Sequence, residues 1–596
     1  MVAVCNLRNG ESTMPTLEWI GKEKVINHHQ DVPYRVLERQ YSYDEQGQHA
    51  EDNGSENMII HGDNLEALKS LLPRYEGKVK CIYIDPPYNT GNEGWVYNDN
   101  VNDPKIRKWL GEVVGKEGED LSRHDKWLCM MYPRLKLLYK LLADEGVIFI
   151  SIDDNELYNL KAICDEIFGS NKFVANVIWQ KTYSPRNDAL GIPYETDNIL
   201  VYSKTGRWFP NKLERTAAMD ERHNSPDNDP IPWQSGDASA AGAADHQGMV
   251  YAIQQPITGK LLYPASGRHW KDEQAVVLQR MNKWAKYEVR NIDDASVRAA
   301  LCGISTESVR QDVMAVMLAQ PLEEAAVQAT ARYDEGIWPE YYFTSKGKGG
   351  IRFKNHIKQD VGKSATNLWF YGDVGHTDEA KKELKGIFSG VAPIETPKPR
   401  RLIERILHIA ADSNAIILDS FAGSGTTAHA VLNMNKANGG NRKFILIEMM
   451  DYADSITAER VKRVIQGYGE DKKAVPGTGG NFSYYELGEP LMIGDNLNEA
   501  VGTNKIREYI WFTETKENFQ NPNADKPYYL GSTAQTGYYF FYEPNRACVL
   551  DYKFLSTITV KADNYVIYAD RCAINTDDLQ KFKVIFKKIP RDITKL

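Results

Sequence analysis

The chain of 596 residues is too long for a single hydrophobic core and predicts two to four domains. Its net charge of −9, with 42% hydrophobic and 26% charged residues, describes an ordinary globular protein and runs against the basic balance of a nucleic-acid binder. Seven cysteines without a CxxC pair exclude a disulfide framework and a zinc site, so no metal is expected; no apolar run of about 18 residues and no secretion signal are present, so no membrane and a cytoplasmic location are expected.

Local clusters oppose the global charge. KIRKW (105–109), KGKGGIRFKNHIK (346–358), KPRR (398–401) and KFKVIFKK (581–588) could each neutralise phosphates, with solvated surface lysines as the equal alternative.

Residues 1–55 are polar and irregular and read as an N-terminal extension. Order begins with NMIIHGDNLEALKSLLPRY: a strand over 58–61, a turn at Gly62 and an amphipathic helix with Leu65, Leu68, Leu71 and Leu72 at helical spacing. KCIYIDPPYNTG follows as a short buried strand that must stop at Asp85. Pro86 and Pro87 cannot continue a ladder, so a stiff turn holds Asp85 and Tyr88 at the strand's carboxyl edge, where ligands bind in open α/β sheets. A helix over 125–146 stopping at Gly146 leads to the apolar strand VIFISID (147–153), and 157–169, 175–180 and 198–203 continue the alternation. Strands alternating with helices predict an α/β doubly wound sheet.

The pattern breaks between about 206 and 365, a Ser-, Gly- and Asp-rich stretch followed by polar helix, which reads as an insertion. It resumes over 366–470 with a helix over 397–411 that carries proline at its first turn, then AIILDSFAGSGTTAHAV and KFILIEM. Residues 471–596 read as a small α+β C-terminal domain, leaving 56–205 as the first half of the sheet domain.

AIILDSFAGSGTTAHAV is strand, glycine turn, helix. Gly423 and Gly425 let the backbone turn and approach a ligand, and Thr426 and Thr427 open the helix. The next strand ends in Glu448, near the roughly 20-residue spacing at which an acid reaches ribose hydroxyls. Ala428 replaces the third glycine of a dinucleotide fingerprint, and the only Gly-Lys-Ser, at 362–364, has Ile357 where a P-loop needs glycine. S-adenosylmethionine, a nucleoside cofactor without phosphates, fits what remains.

DPPY at 85–88 followed by FAGSG at 421–425 resembles the beta-class amino-group DNA methyltransferases, in which the catalytic motif precedes the cofactor motif. Together with SIDDNEL, EIFG, GRHW, GHTDEAKKEL, TPKP and YELGEPL, these motifs resemble the Mod subunits of type III restriction-modification systems from about residue 15 onwards. The family tends to carry His-Glu where this chain reads YETDN (194–198). The resemblance implies a Rossmann-like S-adenosylmethionine-dependent methyltransferase fold with permuted motif order and a target recognition domain in 206–365. It also implies a flipped adenine in double-stranded DNA as substrate, a homodimer and a helicase-nuclease restriction subunit as partner. Asp85 and the Pro86 carbonyl would hold the adenine N6 amine, with Tyr88 stacked on the base. Whether Asp85 orients the amine or also takes its proton stays open at this level. By position, Asp63 falls near the cofactor adenine, although an Asp at a helix start is more often a cap. Lys398 falls near the cofactor carboxylate, and Phe421, Asp419 and Glu448 fall against the cofactor. A sequence-reading DNA-binding subunit without activity, and an orphan DNA or RNA methyltransferase, are the alternative readings.

Overall fold

A computed structural model describes residues 3–4, 16–90, 123–184, 191–216, 220–357, 362–494, 496–517, 519–520, 526–544, 546–590 and 593. Two compact units result, one from residues 1–211 with 364–596 and one from 212–363. The basic cluster at 105–109 and Cys5 lie outside the described residues.

The first unit is built on one sheet with eleven strands among the described residues. In chain order these are β1 (Arg35–Asp44), β2 (Gly47–His49), β3 (Met58–His61), β4 (Val79–Ile84), β5 (Leu142–Ile152), β6 (Phe173–Gln180), β7 (Thr196–Ser203), β8 (Leu368–Trp369), β9 (Ile416–Asp419), β10 (Lys443–Glu448) and β11 (Phe482–Pro490). Their order across the sheet is β8-β6-β7-β5-β4-β9-β10-β3-β11-β1-β2. From β5 through β11 the neighbours run parallel, and β7 and β1 join antiparallel on either side.

Seven helices matter for the site: α1 (Asn64–Tyr75), α2 (Arg123–Leu141), α3 (Leu157–Phe168), α4 (Thr377–Ile387), α5 (Arg400–Ala410), α6 (Thr426–Asn438) and α7 (Glu459–Gln466). Leu65, Leu68, Leu71 and Leu72 of α1 join Leu128, Met131 and Leu135 of α2 in one core against Ile82 and Ile84 of β4. Cys81 and Tyr83, which alternate with them, are equally buried on the other face. Burial on both faces is why these strands read as continuous apolar runs.

Three sequence expectations change. The helix expected to stop at Gly146 ends at Leu141, because Leu142 already pairs with Val79. Pro399 is the cap before α5 and not part of its first turn. The boundaries at 55 and 471 cut through the sheet: β1 and β2 come from the supposed extension, and β11 inserts between β3 and β1. A separate four-stranded sheet with mostly parallel pairing (Tyr529–Thr533, Thr536–Phe540, Asn564–Ala569, Val584–Lys588) does follow, but in the same compact unit. Its leading helix, Thr503–Thr515, reaches α1 through the Arg74–Glu508 ion pair at 2.6 Å.

The second unit, 212–363, has its own core around Trp233, Tyr251, Trp270 and Trp284. A three-stranded antiparallel sheet (Trp233–Asp237, Ile351–His356, Tyr341–Phe343) and a four-stranded sheet around Ala315–Leu318 make its frame.

Candidate active site

Parallel pairing places the carboxyl ends of β4, β9, β10 and β3 side by side, so Asp85, Asp419, Glu448 and Gly62 follow one another along one edge. A cavity of about 570 Å³ opens there. Asp85, Pro86, Pro87, Tyr88, Lys398, Asp419, Phe421, Gly423 and Thr426 line it. Asp63, Gly425 and Glu448 are not among its lining residues.

The DPPY turn forms one wall. Lys398 Nζ lies 2.5 Å from Asp85 Oδ2 and 4.9 Å from the centre of the Tyr88 ring. Burial raises the Asp85 carboxyl above its ordinary value, while the Lys398 ammonium opposes that rise. Burial also pushes the Tyr88 phenol well above its usual range. Trp127 of α2 donates its indole N–H to the Pro87 carbonyl at 2.7 Å, fixing the far side of the turn.

The glycine loop after β9 forms the facing wall. Asp419 accepts from the Phe421 amide at 3.0 Å and from the Thr427 hydroxyl at 2.6 Å. Glu448 holds the loop from β10, accepting from the Gly423 amide at 2.8 Å and the Met450 amide at 3.0 Å. Burial pushes both carboxyls up to about 7. Gly423 and Gly425 have φ of 51° and 77°, the left-handed region that favours glycine. A methyl at Gly425 would lie 3.0 Å from the Thr457 carbonyl oxygen. Beneath the loop, the fully buried Arg460 donates to Ser424 Oγ at 2.8 Å and Thr426 Oγ1 at 2.7 Å.

Asp63 is the N-cap of α1, accepting from the Leu65 and Glu66 amides at 2.9 and 3.2 Å, with Arg134 at 3.3 Å. The capping alternative is therefore realised at that position.

A third wall was not foreseen from sequence. Lys181 at the end of β6 pairs with buried Asp197 of β7 at 2.6 Å, and both line the cavity with Tyr83 and Trp179. No motif surrounds them; the only signal was that Asp197 falls in YETDN, where the chain departs from the resembled pattern.

The basic clusters are less available than their sequences imply. Arg400 pairs with Glu383 at 2.8 Å, Arg401 with Glu379 at 2.7 Å and Lys587 with Glu514 at 2.6 Å. Lys354 is buried between Asp227 at 2.7 Å and Asp229 at 2.6 Å inside the second unit.

A family model described as DNA methylase matches residues 79–459, a span that takes in all three walls of the cavity. The chain belongs to this DNA methylase family. The chain is 31% identical over 475 residues to the type III restriction-modification enzyme StyLTI Mod subunit of Salmonella typhimurium, covering 74% of this chain and 62% of that protein. It is 29% identical over 473 residues to the EcoP15I Mod subunit of Escherichia coli, covering 76% and 66%. The chain therefore spans less than two thirds of the length of these relatives. Among solved structures, the cytosine-N4-specific PvuII DNA methyltransferase is matched at 11% identity and a TM-score of 0.31, covering 68% of this chain and 86% of that one. Among the described residues no helix is long and apolar enough to cross a membrane, and no His, Cys, Asp and Glu cluster could hold a metal ion.

Proposed function

We propose that the chain transfers a methyl group from S-adenosylmethionine to adenine N6 in a short DNA motif, as the modification and recognition subunit of a type III system. The observation that carries this is the meeting of Asp85–Tyr88 and Phe421–Thr427 around one cavity, although the two stretches are far apart in sequence.

The residues present fit the cofactor. Gly423 offers a side-chain-free approach, Phe421 an apolar ring, and Lys398 a cation for a carboxylate, all on the cavity wall. Buried Glu448 has both oxygens committed to backbone amides, so it reaches a ribose only through its remaining lone pairs. When bound, S-adenosylmethionine supplies an electrophilic methyl group.

The exocyclic amine of adenine is conjugated and weakly nucleophilic. Asp85 accepts one of its hydrogens and favours the pyramidal nitrogen whose lone pair attacks, and the ionised carboxylate receives the proton released after transfer. Lys398 opposes the rise that burial imposes on that carboxylate. Tyr88 stacks on the base, a contact worth roughly 1–3 kcal/mol. Since the amine is out of reach in a duplex, the base must be flipped. The second unit, 212–363, reads the flanking sequence, and a second copy and a helicase-nuclease subunit complete the assembly. Its location is the cytoplasm.

Expression in a methylation-free host, with modified bases mapped by long-read sequencing, tests this. N6-methyladenine at one motif, lost in Asp85→Ala, is the expected outcome. N4-methylcytosine would reassign the base, and unmodified DNA from a folded protein would favour the DNA-binding or RNA alternatives.

A further inference from the structure

The SIDDNEL stretch contains a buried carboxylate that the reaction does not use. Glu156, at the cap position before α3, has no exposed surface. Its Oε1 accepts from Asn89 Nδ2 at 2.5 Å and faces His124 Nδ1 at 2.7 Å, and its Oε2 accepts from Asn159 Nδ2 at 2.7 Å.

Two of these partners lead to the DPPY turn by different routes. Asn89 directly follows Tyr88 and lies at φ 59°, a left-handed conformation that asparagine adopts more readily than most L residues. The Asn89 amide also donates to the Arg123 carbonyl at 3.2 Å, which ties it to the start of α2. His124 sits in the first turn of α2, and one turn further along, Trp127 donates to the Pro87 carbonyl at 2.7 Å. The contacts close a ring that runs from Pro87 through Trp127, α2, His124, Glu156 and Asn89 back to Tyr88.

We infer that Glu156 is a positioning residue for methyl transfer: its carboxylate clamps Asn89 and α2 together and thereby sets the Asp85–Tyr88 turn. The inference rests on the proposed methyltransferase reading. The chemistry requires a carboxylate and not merely a polar side chain. Asn89 and Asn159 both present amide N–H groups, so the site needs acceptors on both oxygens. A glutamine of the same shape would turn its own NH₂ toward a donor and lose one of the two contacts. A displacement of about 1 Å at a reacting group costs on the order of 100-fold in rate, so loosening the turn falls on the chemical step.

The test compares wild type, Glu156→Gln and the pair Glu156→Gln/Asn89→Asp, in which the new aspartate accepts from the new glutamine and gives up the donor to the Arg123 carbonyl. Asp tolerates the left-handed conformation nearly as well as Asn. Single-turnover methyl transfer should fall about 10- to 100-fold in Glu156→Gln and recover in part in the double variant, which restores the contact between positions 89 and 156 but not the one to the Arg123 carbonyl. Cofactor affinity by calorimetry and KM for DNA should stay within about twofold, since neither contact touches those ligands. Amide hydrogen exchange at Tyr88 and Asn89, which needs no activity, should accelerate on the order of tenfold in Glu156→Gln and slow again in the double variant. Unchanged exchange in Glu156→Gln would overturn the inference. So would a fall in rate matched by equal losses in cofactor affinity and melting temperature without rescue, the mark of a purely structural role. Wild-type protein that transfers no methyl group would sink the underlying reading, and the exchange data would still decide the clamp.

Discussion

Asp85 and Lys398 show how one contact serves two ends. A carboxyl at the end of a buried strand is driven toward its neutral form, and the ammonium 2.5 Å away opposes that drive. The ionised form is the one that accepts the amine hydrogen, so the rate should rise with pH as Asp85 deprotonates. Lys398→Met removes the opposing charge and raises the Asp85 carboxyl further. The acidic limb of the pH–rate profile should therefore move to higher pH. At neutral pH the rate should drop by about 10- to 100-fold, the worth of one charged hydrogen bond. An acidic limb that stays in place in Lys398→Met would show that Asp85 is not the group titrating in the reaction. At this scale the sequence spoke clearly where a motif forced the geometry. Asp85 could be placed because two prolines follow it, and Asp419 because an acid closes an apolar run. Lys181 and Asp197 could not, because their meeting depends on the antiparallel pairing of β6 with β7, which places Trp179 opposite Asp197 and is written in no local pattern.

Among the elements, the strand-loop-helix unit of β9 and α6 carries the tightest demands. Gly425 caps α6 at φ 77°, and Thr457 approaches it from the segment before α7. Gly425→Ala adds a left-handed residue, about 1–2 kcal/mol, and crowds the Thr457 carbonyl. A loss of about 1–3 kcal/mol in denaturant unfolding is expected, with weaker cofactor binding because the loop must shift. Unaltered stability would mean that the loop relaxes freely. The parallel strands β4, β9 and β10 were legible because burial on both faces leaves them uniformly apolar. Strand β11 was not. Its sequence, FSYYELGEP, mixes Glu486 and Gly488 among aromatics, since Glu486 meets His61 on β3 at 2.9 Å and Gly488 lies against Glu38 on β1. Its partners, β3 and β1, lie at the other end of the chain.

For the molecule as a whole, β11 ties the two ends of the chain into one sheet. A fragment ending at residue 470 removes an interior strand, uncovers an edge of β3 and leaves β1 with only the short β2 as a partner. That fragment should be insoluble or melt without cooperativity, whereas a chain extending past Pro490 keeps the sheet. Circular dichroism melting of the two would decide, and a cooperative fragment would show β11 to be dispensable. The same topology has a consequence in time. Ile417 pairs with Cys81, so the DPPY turn and the glycine loop that faces it come from stretches more than three hundred residues apart. A ribosome adding roughly 5–20 residues each second holds the catalytic turn exposed long before its companion strand emerges. During that interval β4 has an unfilled neighbour position in the sheet. The nascent polypeptide is thus without a usable site until the glycine loop and β10 have been made, and any chaperone that shields this chain has its task set by that wait.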